Sequence, residues 1–145
     1  MSVDVFGDLQ EWGCVLNTLE DLKANGVLDD HQCGLARLVR YQDNWRVQQE
    51  ALLAAMHVCQ PAEPLVHAAL KVLKDEEALL ENRILAARVL GRLLGCARSN
   101  GSSGLDPEAS AMMMRALLAN GGPPILQRAI EGACREAGSA PVSVD

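Results

Sequence analysis

The residues best suited to nucleophilic or metal chemistry in this 145-residue chain are three histidines and five cysteines. His57 and Cys59 stand two apart, and His67 follows ten residues after His57. A structural zinc site needs a second ligand pair at close spacing, and no such pair accompanies them. A cysteine nucleophile needs an orienting acid and an oxyanion-binding loop beside its base, and neither is legible around these residues. The stretch 98–105, Arg-Ser-Asn-Gly-Ser-Ser-Gly-Leu, lacks the lysine of a phosphate-binding loop and follows a helical rather than a strand pattern. Cys14, Cys33, Cys59, Cys96 and Cys134 are odd in number, widely spaced and set in helical patterns. They read as small hydrophobes in a reducing compartment rather than as a disulfide framework. The expectation is a protein with no catalytic, metal or cofactor site.

Composition narrows what must position any other site. The chain is long enough for one domain with a real core and short for two. Nearly half of it is apolar, but Phe6, Trp12, Tyr41 and Trp45 are its only aromatic residues. A core of Leu, Ala, Val, Ile and Met favours helices over sheets. The net charge of −6 argues against nucleic acid, whose binding draws on a basic excess. Residues 1–20 carry no basic leader, and no apolar run approaches the roughly 20 residues that span a bilayer. No membrane role is expected, and the compartment expected is the cytoplasm or nucleus.

Apolar periodicity predicts seven helices. Val5, Leu9, Trp12, Leu16 and Leu19 form one stripe over 3–25, widened by Val15 and Leu22 and closed by Asn25-Gly26, with Trp12 as anchor. Asp29 and Asp30 can cap a second helix over about 30–41. Asn44 is a natural cap for a third, running to about Cys59 and apolar around much of its circumference. Pro61 and Pro64 precede a fourth over 64–74. A fifth covers about 77–95, ended by Gly95. Residues 98–105 read as a flexible loop. Asp106-Pro107-Glu108 starts a sixth helix, 107–119, and Pro123-Pro124 opens a seventh to about 137. The tail 138–145 is expected to be disordered.

Two stretches repeat. Leu35-Ala36-Arg37-Leu38-Val39-Arg40 precedes a turn and then the helix containing Ala51, Ala55, His57 and Val58. Ala69-Leu70-Lys71-Val72-Leu73-Lys74 precedes a turn and then the helix containing Ala86, Leu90, Arg92 and Leu93. The spacing, from Ala51 to Ala86, is 35 residues. A fixed period of this length marks helical arrays in which each unit buries its apolar face against its neighbours. The pattern resembles the armadillo repeat family over 33–95, with a HEAT-like hairpin length; the tetratricopeptide family fits the period but not the residues. The expected fold is therefore all-α, a short right-handed helical solenoid or a compact bundle of about six or seven helices. It is one domain over 1–137, with a capping helix at 3–25, two clear repeats over 29–95 and a degenerate third over 106–137.

The resemblance implies a partner-binding groove along the longer helices, lined by Arg46, Glu50, Leu53 and His57 in one unit. Glu81, Leu85, Arg88 and Arg92 follow in the next. Peptide-clamping members of the family carry Asn where His57 and Arg92 stand and Trp where Leu53 and Arg88 stand, so a clamp for basic peptides is not implied. Arg88 and Arg92 lie one turn apart and, with His57, suit a carboxylate-bearing partner. The function expected is a non-enzymatic adaptor or scaffold that binds another protein or peptide segment, of acidic character. The alternative is a self-association module, a homo-oligomer or assembly subunit, using the first helix or the surface of Met112, Met113 and Leu117. Flexible thioethers suit an adaptable contact, although core packing is the commoner use of such residues.

Overall fold

The computed structural model describes residues 5–100 and 105–138. It is all-helical among those residues, with seven α-helices packed together. They are α1 (Trp12–Asn25), α2 (Gln32–Val39), α3 (Trp45–Ala55), α4 (Glu63–Lys74), α5 (Leu80–Asn100), α6 (Pro107–Ala119) and α7 (Pro124–Gly138).

Local chemistry sets several helix ends as expected. The Asn44 carboxamide oxygen accepts from the backbone N–H groups of Arg46 (2.9 Å) and Val47 (3.2 Å). The Asp106 carboxylate does the same for Glu108 and Ala109, so each cap satisfies donors that the first helical turn leaves unpaired. Gly26, at φ 69°, closes α1 in the left-handed conformation that only glycine adopts without cost, and the Val27 N–H returns to the Leu22 carbonyl.

Other ends differ, each for a visible reason. The first helix begins at Trp12, not near residue 3. Gly7 stands at φ 65° and the Asp8 side chain accepts from Gln10 N–H, a turn that side-chain hydrogen bonding stabilises against helix. Val5 and Leu9 are therefore not on α1. Its buried stripe is Val15, Leu19 and Leu22, while Trp12 is 44% exposed and is not the anchor; its indole N–H donates to the Tyr41 hydroxyl. Phe6, from the preceding turn, takes the buried aromatic place. Asp29 and Asp30 lie in a 3-10 turn before α2 and make no cap there. Instead the Asp29 carboxylate accepts from Cys59 N–H (3.1 Å) and Gln60 N–H (2.7 Å). That capture ends α3 at Ala55, leaving His57 and Cys59 beyond the helix. Gln32 completes the latch, accepting from Ala62 N–H and donating to the Gln60 carbonyl.

Gly95 does not end α5, which runs on to Asn100. Residues 98–100 of the expected loop are thus helical, while 101–104 and the tail from 139 lie outside the described residues. The cysteines are less buried than expected: Cys14, Cys33 and Cys59 are exposed, and Cys96 and Cys134 are partly buried.

Packing follows two rows. Helices α1, α3, α5 and α7 adjoin in that order, and α2, α4 and α6 adjoin in the other row, with α2–α3, α4–α5 and α6–α7 as hairpin pairs between them. The α3 and α5 axes run the same way. Near their starts Asn82 donates to the Trp45 carbonyl, and towards their ends Arg92 donates to that of Met56. Asn82 is fully buried; it also donates to Gln48 Oε1 at 2.9 Å, and Gln48 in turn donates to the Val39 carbonyl. Buried polar groups of this kind are costly unless paired, so the chain Val39–Gln48–Asn82–Trp45 fixes the register of α2, α3 and α5. The core around it is Leu- and Ala-rich, with Leu35, Leu38, Leu52, Leu65, Leu90 and Leu93 fully covered. Helix α5 packs tightly on α7, where a Cβ built on Gly91 would stand 2.8 Å from the Ala133 Cα.

Candidate functional site

The site is a concavity of about 650 Å³ lined by Lys23, Leu53, Met56, His57, Arg88, Arg92 and Glu136. Every helix of the α1–α3–α5–α7 row contributes to it. Lys23 comes from the last turn of α1, Leu53 from α3, and Met56 and His57 from the chain just beyond α3. Arg88 and Arg92 come from successive turns of α5, and Glu136 from the last turns of α7. A second concavity of about 450 Å³ continues it over the α5–α7 seam, sharing Arg88 and Glu136 and adding Arg128, Ile84 and Ile125.

Of the eight groove residues expected, the structure brings Leu53, His57, Arg88 and Arg92 together in this wall. Arg46, Glu50, Glu81 and Leu85 do not line it. Arg46 and Glu81 are exposed in the first turns of α3 and α5, Glu50 is half-buried, and Leu85 packs against the core. His57 arrives from the turn after α3 rather than from the helix itself. Sequence reasoning missed Lys23, Met56, Glu136 and Arg128. Lys23 carries a weak signal, since it follows Leu22 of the buried stripe in the last turn of a helix. Glu136 carries none, because nothing local says that α7 lies against α5.

Lys23, Arg88 and Arg92 place three cations here in a chain whose net charge is −6. Part of that charge has an internal partner. Arg92 Nε donates to the Met56 carbonyl at the C-terminus of α3, and Lys23 lies 3.7 Å from Glu20. Cations at the ends of α1 and α3 also complement the negative ends of the helix dipoles. The terminal nitrogens of Arg92 and the exposed Arg88 guanidinium still offer planar donor forks, suited to bidentate contact with carboxylates. Leu53 is exposed in the same concavity and adds an apolar contact.

The remaining candidates fall elsewhere. His67 is exposed on α4, 3.8 Å from Glu63 on the preceding turn. No group of three His, Cys, Asp or Glu side chains that could hold a metal occurs among the described residues. Met112 (63% exposed) and Met113 stand on the outer face of α6, whereas Met114 is buried and Leu117 packs against the core. Met113 and Leu117 stand one turn apart on α6, so the expected surface keeps its two exposed methionines, with Leu117 partly covered at its edge. Among the described residues no helix is long and apolar enough to cross a membrane. No family model, no curated protein and no solved structure matches this chain.

Proposed function

We propose that the protein is a non-enzymatic helical-repeat adaptor that binds an acidic segment of a partner protein in the Lys23–Arg88–Arg92 concavity. One observation carries the reading. Cations from two separate helices converge with apolar Leu53 and Met56 on one concave surface of an otherwise acidic chain. Charged donors around an apolar floor suit a segment with carboxylates and one or two aliphatic side chains. The repeat reading has its own support. Hydrogen bonds between the α3 and α5 segments join residues 33 to 37 apart, matching the sequence period of 35. That is what stacking of one hairpin unit on the next requires.

The test is fluorescence anisotropy with a labelled Glu-Leu-Glu-Glu-Leu-Glu peptide. Lys23→Glu with Arg88→Glu is the informative double variant, because Arg92 also caps α3 and its loss would perturb folding. Binding should weaken with salt and fall at least about tenfold in the double variant. Equal binding by the variant would overturn the reading.

A second reading, self-association, draws on α6. Ala109, Met112, Met113, Ala116 and Ala119 are all exposed and recur at helical spacing on its outer face. Under this reading, light scattering would give a dimer mass that Met112→Lys abolishes.

A further inference from the structure

At the opposite end of the same helices lies a smaller concavity of about 350 Å³, where the start of α3 faces the turn between α4 and α5. Its wall includes Trp45, Asp75, Glu77 and Leu79, with Gln42 and Gln48 beside them. Trp45 is 54% exposed, the least covered aromatic side chain among the large exposed hydrophobics, and Leu79 is exposed beside the acidic pair. An indole half in water beside two carboxylates is poor use of apolar surface for folding, and good use for holding a cation.

The parts are held in place from beneath. The Trp45 carbonyl accepts from buried Asn82, and the same Asn82 is tied to Gln48 in the floor. The Asp75 carboxylate accepts from Glu77 N–H at 2.9 Å and from Gln42 Nε2 at 3.4 Å. The Asp75 carboxylate and the backbone that carries the ring are therefore set before any ligand arrives, which lowers the ordering cost of binding.

We propose that this concavity receives a single arginine side chain from a partner polypeptide. The guanidinium stacks on the Trp45 indole and its donors meet Asp75 and Glu77. Arginine fits better than lysine because a planar, weakly hydrated cation can stack and form paired hydrogen bonds together. One cation is accommodated rather than a basic run, because the adjoining concavity, which shares Gln42, Gln48 and Asp75, is edged by Arg40 and Lys71. An aliphatic neighbour of the arginine would rest on Leu79. This site is separate from the acidic-segment groove, and its charge preference is the reverse.

The experiment is a two-dimensional ¹H–¹⁵N NMR titration of the full chain with acetyl-Ala-Arg-Leu-Ala-amide, and with the same peptide carrying uncharged citrulline in place of arginine. The arginine peptide should shift the Trp45 indole resonance and the amides of 75–79, with Kd on the order of 1 mM for so small a probe. The citrulline peptide should not. Trp45→Ala should weaken binding about fivefold to thirtyfold and Glu77→Gln about twofold to fivefold. Trp45 is exposed and Asn44 keeps its cap, so both variants should fold; an unchanged indole resonance from Trp12 checks this. Equal shifts from both peptides, or shifts spread over every acidic face, would overturn the proposal. Undiminished binding by Trp45→Ala would do the same. Binding of the acidic hexapeptide at Arg88 is unaffected by any of these results.

Discussion

Replacing Gly91 by alanine tests whether the α5–α7 contact is as close as the packing requires. The added Cβ would lie 2.8 Å from the Ala133 Cα and 3.1 Å from its Cβ. Ordinary carbon–carbon contact begins at about 3.5 Å, so α7 must retreat by roughly 0.7 Å. The opposing atom is backbone and cannot rotate away. Overpacking of this kind costs about 2–3 kcal/mol, against which alanine regains about 1 kcal/mol of helix propensity. The net is about 1–2 kcal/mol of destabilisation. For a domain of this size that lowers Tm by about 3–6 °C in a thermal scan followed by circular dichroism. Gly132→Ala supplies the contrast: a Cβ there would meet only the end of Arg135, at 3.9 Å. The same substitution should therefore raise stability by up to about 1 kcal/mol. If both variants move Tm in the same direction, or Gly91→Ala leaves it unchanged, the close contact is wrong. The groove should feel the first change as well, because Glu136 rides on the displaced helix.

Asn82→Ala removes two donated hydrogen bonds from a fully buried position and should cost about 3 kcal/mol, read as a lower urea midpoint with little change in slope. Asp29→Ala should cost about 1–2 kcal/mol, since the N–H groups of Cys59 and Gln60 turn to water instead; Asp29→Asn should recover part of that. Burial holds the Cys134 thiol above its ordinary pKa, with Glu131 adding to the rise and Arg115 opposing it. A raised pKa means less thiolate at any given pH, so at pH 8 Cys134 should alkylate more slowly with iodoacetamide than exposed Cys14 or Cys33, as mass spectrometry of the peptides would show. The lag should shrink as pH rises through the shifted value. Equal rates at pH 8 would contradict the burial.

Expectations based on short-range chemistry fared best. Asn44 and Asp106 cap helices because the side chain, the acceptor geometry and the donors all lie within four residues. Gly26 closes α1 for the same reason. Gly95 looked equally like a terminator, yet a Cβ there would stand 3.3 Å from the Glu136 carbonyl, and the helix continues past it. Its smallness serves a neighbour 41 positions away, which no local pattern announces. Asp29 is a similar case: its spacing suits a cap, but its carboxylate goes to backbone groups 30 and 31 residues on.

The candidate site divides along the same line. The resemblance to armadillo repeats implied a groove that included Leu53, His57, Arg88 and Arg92, while helical spacing by itself put only Arg88 and Arg92 on one face. Which stretch becomes concave depended on where α1 and α7 end, and so Lys23 and Glu136 joined while Arg46 and Glu81 did not. Trp12 and Trp45 carry the clearest lesson. Both fit an apolar helical pattern, and both are exposed, because a hydrophobic stripe says only that a residue is able to be buried. Helix identity and the ends set by Asn44, Asp106 and Gly26 rest on interactions within a few residues, whose geometry the backbone already dictates. Which apolar side chains are covered, and which cations meet, depends on contacts between helices tens of residues apart, and those exist only once the rows have packed.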